Sequence, residues 1–356
     1  SHSHHTDKNY DSVILHVVYH HDGTVYYSNK KPIPELELRD LIPPLMLRKF
    51  RILQNDQNTI ACEKIFKVPS QPMLTNWLER LLIERLEQKC ALIESILVQN
   101  KNNWEETFYF LTARYFGMKT NAVPFEWLAQ LLPLSILAKH KNSLVQIEAL
   151  VFGVAGFLEE KNKDAYIGSL KNEFDFLKKK YSLKPLDKKI WKFARTRPAN
   201  FPTVRLSQFA VLIFHSSNLL SKVLSVKTIS QLAALYKIKP DPKLDPFLFI
   251  DHQTKAENTV FGKDATDILL VNSVFPMLFL YGKINHLEEL CERALKFFEH
   301  IPAEKNAITR FWDSLGIATH SAFESQALIQ LKNNYCSKLN CLNCTFGKEI
   351  LLNRDE

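Results

Sequence analysis

Three thiols fall within nine residues near the C-terminus, in the pattern Cys336-x4-Cys341-x2-Cys344. A Cys-x-x-Cys pair sets two thiolates on one tight turn, the arrangement with which a chain grips Zn²⁺ or an iron–sulfur cluster. The fourth donor is missing locally. Cys62, Cys90, Cys291 or His320 could supply it from a distance, and Cys62 would tie the tail to the N-terminal region. Against a metal stands a plainer reading, in which buried free cysteines serve as small hydrophobes.

A second group is cationic. Residues 170–205 carry 11 Lys/Arg against 3 Asp/Glu, a surplus equal to the formal net charge of +8, so the rest of the chain is close to neutral. Within it, Lys188, Lys189, Lys192, Arg195, Arg197 and Arg205 interleave with Trp191, Phe193 and Phe201. Cations among aromatics suit a surface that contacts phosphates and stacks bases, and Pro198 and Pro202 frame the loop. Lys192, Arg195, Arg197 and Arg205 are therefore the expected phosphate contacts, with DNA or RNA as the partner. The structural alternative buries the aromatics and lets their basic neighbours reach solvent.

The third group is the start of the chain, with His2, His4, His5, Asp7, His16, His20 and His21. Imidazoles and carboxylates together could hold a divalent metal or move protons. A histidine inside an apolar strand is, on the other hand, commonly a hydrogen-bonded core residue. Asp22 and Glu37-Leu38-Arg39 follow the D…E-x-K order of a Mg²⁺-dependent nuclease, but a guanidinium stays protonated and cannot relay a proton as Lys can.

The elements that must position these groups divide into a short β region and a long helical one. Val13–Tyr19 is apolar and β-branched, Asp22-Gly23 is a type I′ turn signal, and Thr24–Tyr27 resumes the run, which predicts a β-hairpin. Its first strand is apolar on both faces and is expected inside a sheet, so a further segment is expected ahead of Ser1. Ile33–Arg39 alternates as a half-buried strand with Glu35, Glu37 and Arg39 outward, and Asn58–Cys62 could add another. From Pro72 the spacing turns helical: Leu78, Leu81, Leu82, Arg85 and Leu86 share a stripe, and Asn103 and Gly117 bracket a helix over 104–116. Further helices are predicted over 125–139, 143–158, 164–180, 203–221, 227–236, 264–281, 285–299, 304–315 and 321–333.

His4, Asp7, Tyr10 and Asp11, followed by Val13-Ile14-Leu15-His16-Val17-Val18 and Asp22, resemble the opening pattern of an uncharacterised bacterial family, domain of unknown function 2851. The resemblance continues through 77–87, through Arg197-Pro198-Ala199-Asn200-Phe201-Pro202-Thr203-Val204-Arg205, and into Tyr335-Cys336 with Cys341 and Cys344. It implies a preceding segment whose acidic motifs are similar to the core of PD-(D/E)xK nucleases, with Mg²⁺ as their metal. Those carboxylates are absent from this chain. The family pattern singles out His4, Asp7 and His16 as the catalytic candidates.

With 356 residues, 46% hydrophobic and only nine glycines, the chain can bury a large helix-rich core. No apolar run reaches the roughly 20 residues of a membrane span; the nearest, 268–281, contains Asn272, Ser273 and Pro276. Scattered cysteines argue against a disulfide scaffold and for a reduced, cytoplasmic setting. The expectation is an α+β protein with a partial β unit over 1–70, a helical region over 71–330 and a cysteine-bearing tail over 331–356. Its expected function is nucleic-acid association in a nuclease-like family; the alternative is a non-catalytic helical scaffold that docks an acidic protein surface.

Overall fold

The computed structural model describes residues 9, 11–55, 59–159, 164–216, 218–248 and 259–353. The chain forms two compact units, one drawn from Ser1–Trp77, Phe311–Ile317 and Ile329–Glu356, the other from Leu78–Arg310 and Ala318–Leu328. Fold class is α+β, a two-stranded sheet near the N-terminus followed by a large helical region.

In the first unit, β1 (His16–Val18) runs parallel to β2 (Glu35–Glu37), with His16 opposite Glu35 and Val18 opposite Glu37. The predicted antiparallel hairpin does not form. His20–Gly23 is irregular, and the return segment forms an isolated antiparallel bridge between Tyr26 and Pro32 while the Tyr27 hydroxyl donates to the Val13 carbonyl at 2.7 Å. The first strand is not covered on two faces either, since Ile14 is 87% exposed and Val17 50%. Strand facing is likewise reversed: Leu36 points outward while Glu35 and Glu37 are half-buried, because His16, His20 and His21 supply their hydrogen bonds. Residues 59–62 are turn rather than strand.

Helix also enters the region expected to be β, as α1 (Pro44–Asn55), with a proline in the first turn where no intrahelical donor is lost. The helix α2 (Gln71–Gln99) contributes its first seven residues to this unit. The unit's core is then closed by segments from the far end of the chain. Trp312, fully buried, meets the edges of Phe66 and Phe346 at centroid distances of 5.9 and 6.1 Å, and Trp77 meets Tyr335 at 5.2 Å.

The second unit is helical. After α2 come α3 (Trp104–Phe116), α4 (Met118–Leu131), α5 (Leu134–Leu137), α6 (Leu144–Val154) and α7 (Ala165–Tyr181). Asn103 caps α3 by accepting the Glu106 N–H at 3.1 Å, and Asp164 caps α7 by accepting those of Tyr166 and Ile167. Gly117 ends α3 without a left-handed conformation: a Cβ there would lie 2.2 Å from the Asn121 carbonyl oxygen, so close backbone approach requires the glycine. Next are α8 (Pro202–His215), α9 (Leu219–Ser225), α10 (Ile229–Ala234), α11 (Asp245–Leu248) and α12 (Lys263–Leu269). A π-helical turn, Leu270–Val274, joins α12 to α13 (Phe275–Ile284), where Pro276 has no N–H to give the residue 272 carbonyl. The chain continues through α14 (Glu288–His300), α15 (Ala307–Ser314) and α16 (Ala322–Asn334), and ends in α17 (Thr345–Leu352).

Helix α3 packs on α4, α6 on α7 and α8, and α13 on α14. Phe209 meets the rings of Phe116 and Phe125, and Phe261 stacks on Phe116 at 4.6 Å. The stretch Lys263–Ile284 is, among the described residues, the one helix long and apolar enough to cross a membrane; 72% of its apolar window is buried inside the protein.

Replacing Trp312 by alanine removes the side chain on which Phe66 and Phe346 both rest. The expected cost is about 3–5 kcal/mol, read as a lower urea midpoint with an unchanged slope; a midpoint equal to that of the unaltered protein would place the unit's core elsewhere.

Candidate functional site

The cysteine tail is built from two short 3₁₀ turns, Cys336–Lys338 and Cys341–Asn343, followed by α17. Cys344 occupies the N-cap of α17, without a side-chain capping hydrogen bond. Gly347 is needed there for space, since a Cβ would lie 2.2 Å from the Cys341 carbonyl oxygen. Cys341 is buried in a small core with Leu53, Ala61 and Leu351, and Cys62 packs against that same core. Of the four residues that could complete the set, Cys62 is the one placed beside the three. Cys90, Cys291 and His320 belong to the second unit.

All four cluster thiols are free. Burial pushes Cys62 up to about 12 and Cys344 to about 11, and raises Cys336 and Cys341 as well. Cys62 and Cys336 each also feel the charge of Cys341 and Cys344. As the side chains stand, no group of three or more His, Cys, Asp or Glu among the described residues is arranged to hold a metal ion.

At the N-terminus, the sheet brings imidazoles onto carboxylates. His16 Nδ1 lies 3.1 Å from Glu35 Oε2, His20 Nδ1 2.8 Å from Glu37 Oε1, and His21 Nδ1 bonds the other Glu35 oxygen. The hydrogen bond from His21 holds the Glu35 carboxyl below its ordinary value, and reciprocally His21 is raised; the hydrogen bond from His20 lowers Glu37. Among them His16 is half-buried beside Glu35, whereas His4 and Asp7 lie outside the described residues.

The basic segment is an ordered loop between α7 and α8. Gly156, with φ +84°, lets the Leu186 carbonyl approach where a Cβ would sit 2.0 Å away. Trp191 Nε1–H donates to the Ala155 carbonyl at 2.9 Å, and the Asn121 side chain clamps both the N–H and the carbonyl of Lys192, at 2.8 and 2.9 Å. Trp191 is 4% exposed and packs edge-on to Phe125, and Phe193 contacts Phe157 and Phe201. Trp191 therefore serves the core, while Phe193 and Phe201 are half-buried. Eight of the segment's cations are exposed, among them Lys192, Arg195 and Arg197, and no carboxylate among the described residues pairs with either arginine.

Arg205 departs from the expectation. It is 4% exposed, its guanidinium donates to Gln208 at 2.9 Å and to Asn200 at 2.5 Å, and it lies 4.6 Å over the Phe261 ring. Burial lowers it to about 10. Its place in the first turn of α8 turns it inward, which makes it a packing residue rather than a surface phosphate contact.

Two polar groups were not singled out as sites from the sequence. Arg85 Nε donates to Gln326 at 2.6 Å, and one turn later Lys89 Nζ donates to the Val271 carbonyl at 3.1 Å and to Asn272 at 2.9 Å, in the π-helical turn. Burial and then the Arg85 charge hold the Lys89 ammonium well below its usual range. The signal was a cation, Arg85, inside the apolar stripe of α2. The other group is Glu148 on α6, fully buried, whose Oε2 accepts the Tyr166 hydroxyl at 2.6 Å. Burial raises it to about 7. A glutamate between Ile147 and Ala149 in an apolar helix was its only trace in the sequence.

Because the folded protein holds the Glu148 proton more tightly than the unfolded chain, stability falls as pH rises from about 4.5 to about 7. A shift of that size corresponds to at most about 3 kcal/mol. Glu148→Gln should flatten this part of the stability profile while keeping an acceptor for Tyr166. A profile unchanged by the substitution would assign the slope to another group.

No curated protein and no solved structure matches the chain. A family model, described as a protein of unknown function (DUF2851), matches residues 1–307, a span that takes in β1, the Glu148 and Lys89 groups and the whole basic loop. The chain is a member of the DUF2851 family.

Proposed function

We propose that this protein binds nucleic acid through phosphate contacts made by the basic loop between α7 and α8. The observation that carries this reading is the ordered, outward presentation of Lys192, Arg195 and Arg197 on a backbone pinned by Gly156, Asn121 and Trp191. A rigid loop loses little conformational freedom on binding, and arginine forks match phosphate geometry. With Trp191 buried, recognition rests on backbone charge and not on stacking, which favours sequence-independent binding of a duplex. The reading is of binding rather than cleavage. Glu37 is taken by His20 and Glu35 by His16 and His21, so a magnesium ion would have to displace imidazoles from both carboxylates.

Binding to a short mixed-sequence DNA duplex, followed as a function of salt, tests this. Affinity should fall steeply with salt, and Arg195→Ala with Arg197→Ala should lower the log–log slope by about 1 per arginine. Binding that is insensitive to salt, or unaltered in the double variant, would remove the loop from the interface. Stronger capture of an acidic polypeptide than of DNA would favour the scaffold reading.

A further inference from the structure

The proposed phosphate contacts lie in the second unit. In the first, α1 packs on α17, and Phe66, just past the 3₁₀ turn Glu63–Ile65, sets its ring against Phe346 of α17 at a centroid distance of 5.5 Å. These segments flank a cleft of about 290 Å³, close to the roughly 300 Å³ at which small-molecule sites begin. Its two-sided character comes from the sequence. Phe66 is extended (φ −71°, ψ 130°) and Pro69 disfavours helix at Val68, so this stretch stays apart from α2. Phe66 and Ile350 are half-buried and Phe346 is buried, which gives the cleft an apolar floor. Lys49, Lys64 and Lys67 line it against a single acid, Glu349. Lys49 Nζ donates to the Asn353 carbonyl at 2.7 Å, which fixes that cation at the cleft. Lys64 and Lys67 are exposed and pair with no carboxylate among the described residues.

An apolar floor bordered by a surplus of cations selects an anion that carries its own apolar body. A bare inorganic anion would lose hydration against the rings, and a neutral molecule would leave the lysines without a role. Glu349 repels a dianion more than a monoanion. The Phe66 and Phe346 rings are inclined at 64°, which leaves no flat slot for an aromatic plane and suits a flexible chain. We propose that this cleft binds a medium-chain alkyl carboxylate, with its chain on Phe66, Phe346 and Ile350 and its carboxylate among Lys49, Lys64 and Lys67. Lysine stems lie along apolar surface with their charged ends toward water, so the cations stand where the carboxylate emerges from the cleft. Burial of the chain supplies the affinity, and charge-assisted hydrogen bonds from the lysines supply the preference for an anion.

The test is calorimetric titration of the full chain with octanoate, octanol and acetate at one fixed ionic strength. Octanoate should bind saturably at a single site, octanol about tenfold more weakly, and acetate, which has the charge without the chain, not at all. Lys64→Glu with Lys67→Glu, two exposed positions, should weaken octanoate about tenfold and leave octanol unaltered. Ile350→Trp, which fills the floor, should weaken both. Absence of saturable octanoate binding, octanol binding as tightly as octanoate, or octanoate affinity unaltered in the double lysine variant would each overturn the proposal. Should Ile350→Trp fail to fold, the exposed lysine pair decides alone.

Discussion

The first unit cannot complete its core with consecutive residues. Its sheet is two three-residue strands, and α1 and the start of α2 leave Phe66 and Trp77 without cover until Trp312, Tyr335 and Phe346 arrive from the end of the chain. Together those rings bury enough apolar surface to offset the entropy of closing so long a loop, which grows only slowly with length. The same closure sets Cys341 and Leu351 against Leu53 and Ala61, and with them gathers the thiols. The tail is thus part of the N-terminal unit and not an appendage.

The second unit meets a different constraint, that of polar groups inside a helical core. Three of them show how such groups are matched to local partners. His140 is bonded at both nitrogens, by Gln146 at 2.7 Å and Tyr181 at 2.9 Å. Arg205 is held by Asn200, Gln208 and the face of Phe261, and Lys89 by the carbonyl and amide that the π-helical turn presents. Such pairing keeps the desolvation cost of each group tolerable. What remains outside is a loop on which, among the described residues, no carboxylate pairs with Arg195 or Arg197.

Helix positions were legible in the sequence because caps and apolar spacing act locally: Asn103, Ser143 and Asp164 each cap a helix that begins one residue later. The β region was misread for the opposite reason. Strand pairing is non-local, and the β-branched run at 13–19 found a parallel partner at 35–37 instead of the one offered by Asp22-Gly23. Charge surplus marked the basic loop, but nothing in the spacing separated Arg197, which is exposed, from Arg205, which a helical turn rotates into the core. The thiol knuckle was visible as a motif; Gly347, Asn121 and Gly156, whose roles depend on close approach between distant backbones, were not.

The charged face is the functional core of the account, and lysine reactivity footprinting on the full chain with and without saturating duplex DNA examines it directly. The account predicts protection of Lys179, Lys180, Lys184, Lys188, Lys189 and Lys192 when DNA is bound. Unchanged reactivity at these positions, with protection appearing on lysines elsewhere, would contradict it.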